Sequence, residues 1–587
     1  MIKKVFRQML VTQILSAMTV MICMLVDSII IGRFLGVNAM AAYGLSNPVL
    51  LVFAAIGSML SAGIQVVCGK SMGCGDREGT NRCFSAAVLL VTAISVIGLV
   101  LVFLFSSPLC VLLGAGKPGP DNEVFSLTKD YLRGFIIGAP AFLCSMIMVP
   151  FMQMSGNRTR LVVAVAAMTV FDIVFDLLNV KVFNGGTFGM GLASSLSYYI
   201  AFFIGGAYFV KKKCMFRFSI KGVKKAVFGS ILRNGIPTLV NQISLVFLVF
   251  LFNKLLLLIR DGGNTAVASY SVISTIGNIC YCFGAGIGSV ALTLAALFHS
   301  DEDRKNLQTV VKTMSHYAIL LSSVVTVTVF VLAPFLVDLF LKGNVEARSM
   351  AVLGVRLFVL SLIPCSFNTS LKNYYQGTNR VGFSEIISAL QSFVFVAIGA
   401  LILSPVLGTT GIWLSWVFGE SITLLFISII VWKKNKKISL SANAYALIPN
   451  DFGAKPEDCL DLTVRSVEEA VAAAEKAEEF CKNHNETERN SKFISLCIEE
   501  MANNIVDHGF KKDKRTDHVI EIRLIFKEDK RLIRIRDNCV NFDPVAYMDL
   551  HKNDDPTVHI GIRLVMKMVK EANYVCSLGL NNLTLVM

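Results

Sequence analysis

Four acids stand where charge is expensive. Asp27 sits in Leu25-Val-Asp-Ser-Ile-Ile-Ile-Gly32, Asp172 and Asp176 in Phe171-Asp-Ile-Val-Phe-Asp-Leu-Leu178, and Glu420 in Phe418-Gly-Glu-Ser421. An ionised carboxylate at membrane depth costs about 2.5–3.5 kcal/mol on insertion scales, so such acids face a polar interior. Asp172 and Asp176 are one helical turn apart and share a face. With Asp27 expected at the same depth, three carboxylates converge on a site for a cation or a proton. Mutual repulsion and desolvation both favour the protonated form. Ser194, Ser195 and Ser197 offer neutral oxygens, with Ser195 taken into the candidate site. The alternative reading is structural pairing of the acids with Asn or Ser.

A second constellation lies near the C-terminus. Cys497-Ile-Glu-Glu-Met-Ala-Asn-Asn-Ile-Val-Asp-His-Gly509 places Glu500, Asn504 and His508 on one helical face. A carboxylate one turn from an amide suits a base beside water and an oxygen ligand for Mg²⁺ carried by phosphates. Asp537 follows a strand directly, and Gly561-Ile-Arg-Leu-Val565 opens a helix whose N-terminus can receive phosphate.

The elements that must position these residues divide into two parts. Hydrophobic residues make up 54% of the 587, charged residues 16%, and mean hydropathy is +0.63, which excludes a wholly soluble enzyme. The apolar character runs from about residue 8 to 432 and then stops. Read at about 20 residues per crossing, it holds spans near 8–34, 41–69, 83–106, 128–152, 161–182, 189–210, 231–259, 266–298, 309–341, 350–374, 383–404 and 409–432. The fold class is thus a polytopic all-α membrane protein of about twelve spans plus a C-terminal α/β sandwich. Its domains are 1–222, 223–433, a linker 434–456, and 457–587. Ordered anchors recur at an offset of roughly 220–226 residues: Pro108 with Pro334, Pro140 with Pro364, Gly156-Asn-Arg158 with Gly377-Thr-Asn-Arg380, and Gly191 with Gly411. Two six-helix halves form a parallel repeat, with a substrate path between them.

The net charge of +14 belongs to one set of loops, not to a nucleic-acid site. That set holds Lys70, Arg77, Arg82, Arg158, Arg160, Lys211–Lys213, Arg217, Lys221, Lys224, Lys225, Arg304, Lys305, Lys372 and Arg380. The other set holds mainly Arg33, Lys117, Lys129, Lys181, Arg260 and Lys342. Both termini are expected in the cytoplasm and the chain in the cell membrane, with the first span retained. Lys254 is expected to snorkel to the outer surface. No CxxC pair or Cys/His cluster of zinc spacing appears among the fifteen cysteines.

Residues 5–435 resemble the multidrug and toxic compound extrusion (MATE) transporters. The resemblance rests on Leu25–Gly36, Ala41-Ala-Tyr-Gly-Leu-Ser-Asn-Pro48, Gly73-Cys-Gly-Asp-Arg77, Gly156-Asn-Arg-Thr-Arg160 and Asp172–Asp176. It implies that the matching acids bind the coupling H⁺ or Na⁺. Asp172 stands where relatives usually show Asn. Some members carry acids in spans seven and ten, where this chain has Asn241, Gln242, Asn368 and Asn373. That places the ion site in the first half and leaves Glu420, Asn241 and Gln242 as candidates for the substrate path. Glu420 otherwise pairs locally.

Residues 455–587 resemble the histidine-kinase-like (GHKL, Bergerat-type) ATPases, especially the anti-sigma-factor serine kinases. That resemblance implies Asn504 on Mg²⁺, Glu500 as general base and Asp537 on the adenine amino group. Gly561 and His508 join the nucleotide-binding set. Two motif glycines are replaced, by Cys539 and His559. The function expected is efflux of small cationic or amphipathic organic compounds by H⁺ or Na⁺ antiport. The tethered ATP/Mg²⁺ domain is regulatory and can engage a cytosolic protein. No Gly-x-x-x-x-Gly-Lys-Ser/Thr loop is present to make it the power source. A membrane sensor kinase and a lipid-linked precursor flippase are the alternatives.

Overall fold

The computed structural model describes residues 1–119, 122–211, 214–219, 223–259, 262–341, 345–439, 441–512, 517–527, 530–550 and 560–587. Lys212, Lys213, Lys221, Arg260, Lys342 and His559 lie outside the described residues.

Among the described residues the apolar runs form ten helices long enough to cross a bilayer, and up to twelve spans if each of two bent helix pairs is one span. The bent pairs are Glu123–Ile136 with Ala139–Met154, at 48°, and Val345–Leu360 with Leu362–Gly377, at 45°. They are the fourth span of each half. Pro140 and Pro364 lie in the first turn of the second segment, where a missing N–H costs no helical bond. Each half uses an acidic N-cap: Asp76 accepts from Gly79 N at 2.7 Å, and Asp303 accepts from Asn306 N at 3.0 Å. Each starts the third span of its half, at Arg77 and Arg304. π-helical turns end span one at Ile31–Leu35 and span five at Asn179–Phe183, close after Asp27 and Asp176.

The two halves pack most closely near the face that carries both termini. A Cβ on Gly63 would lie 2.0 Å from the Ile231 carbonyl oxygen, and one on Gly235 would lie 2.2 Å from that of Met59. Only glycine permits this backbone approach.

On the same face sits a five-stranded antiparallel sheet, ordered β1-β2-β3-β5-β4. The strands are β1 (Cys459–Val464), β2 (Ile520–Phe526), β3 (Arg531–Asp537), β4 (Glu571–Ser577) and β5 (Leu580–Val586). Alternation sorts its two faces. Ile520, Ile522, Leu524, Ile533 and Ile535 pack against helices Val467–Asn483 and Glu488–Asn504 through Ala473, Ala477, Cys497 and Met501. Glu521, Arg523, Arg534 and Arg536 point the other way, towards the membrane part. The last helix is Ile560–Met568, and Ala572 already belongs to β4.

Candidate functional sites

The three acids of the first half are buried together. Asp27, Asp172 and Asp176 lie close enough to interact electrostatically. Ser197 Oγ donates to Asp172 Oδ1 at 3.0 Å. One Asp27 oxygen and both Asp176 oxygens are buried without a hydrogen-bond partner. Carboxyls buried close together and away from water need a proton or a cation to offset their charge. Among the described residues no group of three His, Cys, Asp or Glu converges as a metal site. Tyr43, Tyr131 and Tyr198 lie within electrostatic range of the acids, with the first two rings edge-on at 5.3 Å.

Ser195 does not join them. Its hydroxyl donates to the carbonyls of Gly134 and Phe135 at 2.8 and 3.0 Å, at the bend of span four. Gly138 N also donates to the Phe135 carbonyl at 3.0 Å, so Ser195 adds a further donor where the bend disturbs the helical bonding. The neutral oxygen at the acids therefore comes from Ser197, two residues further on. Its own signal was the same cluster of serines.

In the second half, Glu420 is held by amides. Asn368 Nδ2 donates to its Oε2 at 2.9 Å and Gln391 Nε2 to its Oε1 at 3.2 Å. It pairs locally, while Asn241 and Gln242 line a cavity of about 240 Å³ between the halves. Lys372, expected among the loop cations, is instead buried in the helix Leu362–Gly377 and lines the same cavity. Its ammonium donates to Asn241 Oδ1. Sequence reasoning missed it as a functional candidate. The available signal was its place four residues after Asn368, one turn along the same face.

In the sheet domain, Glu500, Asn504 and Gly561 come together. A Cβ on Gly561 would lie 2.0 Å from Glu500 Oε2 and 3.6 Å from Asn504 Nδ2. The helix opened by Gly561 thus starts directly over the acid–amide pair. Asp537 ends β3 on the same side of the sheet, accepting from Cys539 N at 2.9 Å and Asn581 Nδ2 at 2.8 Å. Burial pushes its carboxyl above the usual Asp value, against the hydrogen bonds that favour the ionised form. His508 is exposed on a π-helical turn, Ile505–Phe510, that follows Asn504. Cys539 has no left-handed backbone to strain it, and its thiol packs beside Gly509. The set fits Mg²⁺-nucleotide in donor chemistry: an amide oxygen, a carboxylate base and a helix start.

The other sheet face is built onto the membrane helices. Arg523 Nη1 pairs with Asp303 at 2.5 Å, and Arg534 and Arg536 pair with Asp301 at 3.0 and 3.3 Å. These acids belong to the second half. From the first half, Met154 O accepts from Leu578 N at 2.5 Å, Arg158 donates to Leu578 O at 3.0 Å, and Arg77 pairs with Asp543 at 3.0 Å. The intervening segment is also fixed. Tyr374 and Tyr375 hydroxyls donate to the carbonyls of Ala446 and Tyr445 at 3.1 and 2.8 Å.

Twelve spans in two matching halves, an acid cluster in one of them and a nucleotide-type domain define a membrane transporter with an appended ATPase-like module. The chain belongs to the MatE family, whose model matches residues 13–178 and again 237–402, one match in each half. A histidine kinase-like ATPase domain matches 463–587. The multidrug export protein MepA of Staphylococcus aureus (strain bovine RF122 / ET3-1) is 22% identical over 409 residues, 69% of this chain and 88% of that protein. The Vibrio cholerae MATE transporter VcmN, in its bent form, superposes with TM-score 0.67 at 17% identity, covering 76% of this chain and 97% of the other. An outward-facing multidrug resistance MATE family transporter of the MOP superfamily gives 0.67 at 20%, covering 72% and 94%.

Proposed function

We propose that the chain is a proton-coupled exporter of small amphipathic organic compounds in the cell membrane, regulated by its nucleotide-binding domain. The carrying observation is the burial of Asp27, Asp172 and Asp176 together, with oxygens of Asp27 and Asp176 left unpaired. Carboxyls buried close together favour a bound proton, which removes charge that burial and mutual repulsion both penalise. Export is supported by the name of the relative MepA. Protonation of the cluster would favour one access state, and substrate the other. The close packing of the halves near the termini supports an outward-facing state here. The basic loops on that face place it in the cytoplasm.

Regulation is supported by the contacts of one rigid sheet with both halves at that face. A domain that bridges the halves while they are closed there stabilises that state, by whatever its docking is worth. Nucleotide at Glu500, Asn504, Asp537 and Gly561 would bind on the opposite side of the sheet, leaving the docking face free. Gradient-driven transport tests the reading. Proteoliposomes with an acid lumen should accumulate ethidium or dansylglycine from an alkaline bath, and Asp27→Asn should abolish it. Accumulation driven by a sodium gradient alone would reassign the ion. Accumulation of neither compound would remove the exporter.

A further inference from the structure

The cavity between the halves has a polar wall and one charge. Ser58, Ser61 and Gln65 line it from the first half, and Asn241, Gln242 and Lys372 from the second. Among the described residues no Asp or Glu lines it, and Tyr281 is the one aromatic ring that does. A cationic compound would therefore find neither a carboxylate nor an aromatic cage there. The Lys372 ammonium donates its hydrogen bond to the neutral Asn241 and interacts with the Glu420 carboxylate only electrostatically. Asn241 is committed as well, accepting from Ser392 Oγ at 2.6 Å. Glu420, the acid of the same half, is engaged by Asn368 and Gln391.

A second observation points into the same space. Ser388 lines the cavity, is 1% exposed, and its hydroxyl has no hydrogen-bond partner. A buried ammonium whose acid neighbour, Glu420, is shared with two amides is under-compensated, and an unsatisfied hydroxyl lining the same cavity is costly too. Both costs fall when an anionic group enters, since charge-assisted hydrogen bonds are the strong ones.

We propose that this cavity is a substrate subsite for the anionic group, a carboxylate or sulfonate, of an amphipathic organic compound, with Lys372 as its counter-ion and Asn241 orienting the ammonium. The subsite rests on the exporter reading and narrows its substrates from amphipathic compounds in general to organic anions or zwitterions. Lys372 is the specificity-determining residue. The neutral amides and hydroxyls around it donate the remaining hydrogen bonds. The cavity lies between the halves, so relative motion of the two would open or close it.

Equilibrium binding tests the subsite without requiring transport. The purified full chain in phosphatidylcholine nanodiscs is titrated with dansylglycine and with dansylethylenediamine, which share a fluorophore and differ in charge. The wild type should bind the anion at least about tenfold more tightly than the cation. Lys372→Gln should remove that preference and Lys372→Arg should keep most of it. Asn241→Asp, which places a carboxylate beside the ammonium, should also lose the anion while keeping a paired and foldable interior. Equal affinity for the two probes, or anion binding unchanged in both Lys372→Gln and Asn241→Asp, overturns the proposal. Loss of dansylglycine binding on adding phosphatidylglycerol to the nanodiscs would assign the site to a lipid headgroup and overturn it too. Because binding is read apart from a gradient, intact anion binding with no driven transport would refute the exporter alone. Driven ethidium transport with no anion preference would refute the subsite alone.

Discussion

The main-chain N–H of Leu578 donates to the carbonyl of Met154 at 2.5 Å, joining the last hairpin of the sheet domain to the end of span four. Leu578 and Gly579 both take positive φ, 60° and 76°, as a tight hairpin turn between right-twisted strands requires. The turn lies against Gly156, whose own φ is 76° and where a Cβ would come within 2.4 Å of the Gly579 Cα. Three left-handed residues thus meet at one contact.

Gly156→Val should separate this hairpin from the membrane helices. The left-handed backbone alone costs about 1–2 kcal/mol for a residue with a Cβ, and the clash adds to it. Hydrogen exchange of the Leu578 amide in the full chain should rise at least about tenfold. Unchanged exchange would show that the contact does not hold the domain.

Asp301 and Asp303 should behave differently although they share arginines. Burial penalises both. At Asp303 the Arg523 and Arg536 charges outweigh it and hold the carboxyl below its usual value. At Asp301 burial wins over Arg534 and Arg536, and the carboxyl is pushed up. The stabilisation from Asp303 is therefore present above the ordinary Asp value and is lost only as pH falls through its lowered docked value. Asp301 instead takes up a proton more readily when docked. Asp303→Asn should loosen the sheet face by about 3 kcal/mol, the range for breaking a buried pair, and Asp301→Asn by less. Exchange protection of β2 and β3, compared between the two variants, decides this.

Nucleotide affinity should fall early on acidification. A raised Asp537 carboxyl begins to protonate above the usual range near 3.9, and the protonated acid no longer accepts from an adenine amino group. A fluorescent ATP analogue titrated with Mg²⁺ should bind more weakly at about pH 5 than at about pH 7. Asp537→Asn should lose about tenfold in affinity and flatten that pH dependence. Gly561→Ala, whose methyl would meet Glu500 Oε2, should lose binding at every pH.

Much of the chain is open to reading because charge in an apolar run is conspicuous. Asp27, Asp172 and Asp176 could be grouped from depth and helical spacing, and the halves from their repeated prolines and caps. What escaped was orientation about a helix axis. Ser195 and Ser197 are two residues apart, about 200° on an α-helix, and nothing local says which faces the acids. Lys372 lies close to a basic loop and reads as part of it, because hydropathy cannot tell an ammonium buried between two halves from one in water. The docking of Arg523, Arg534 and Arg536 was equally hidden. Their alternation marks one sheet face, but their partners Asp301 and Asp303 lie more than two hundred residues away in a different domain.

The proton exchange itself is the most direct measurement. Proteoliposomes carrying a pH dye in an acid lumen are offered substrate from outside, and lumenal pH is followed as the compound enters. The wild type should show a rise in lumenal pH on each addition, and Asp27→Asn and Asp176→Asn should show none. A rise of wild-type size in both variants would contradict proton coupling at this cluster.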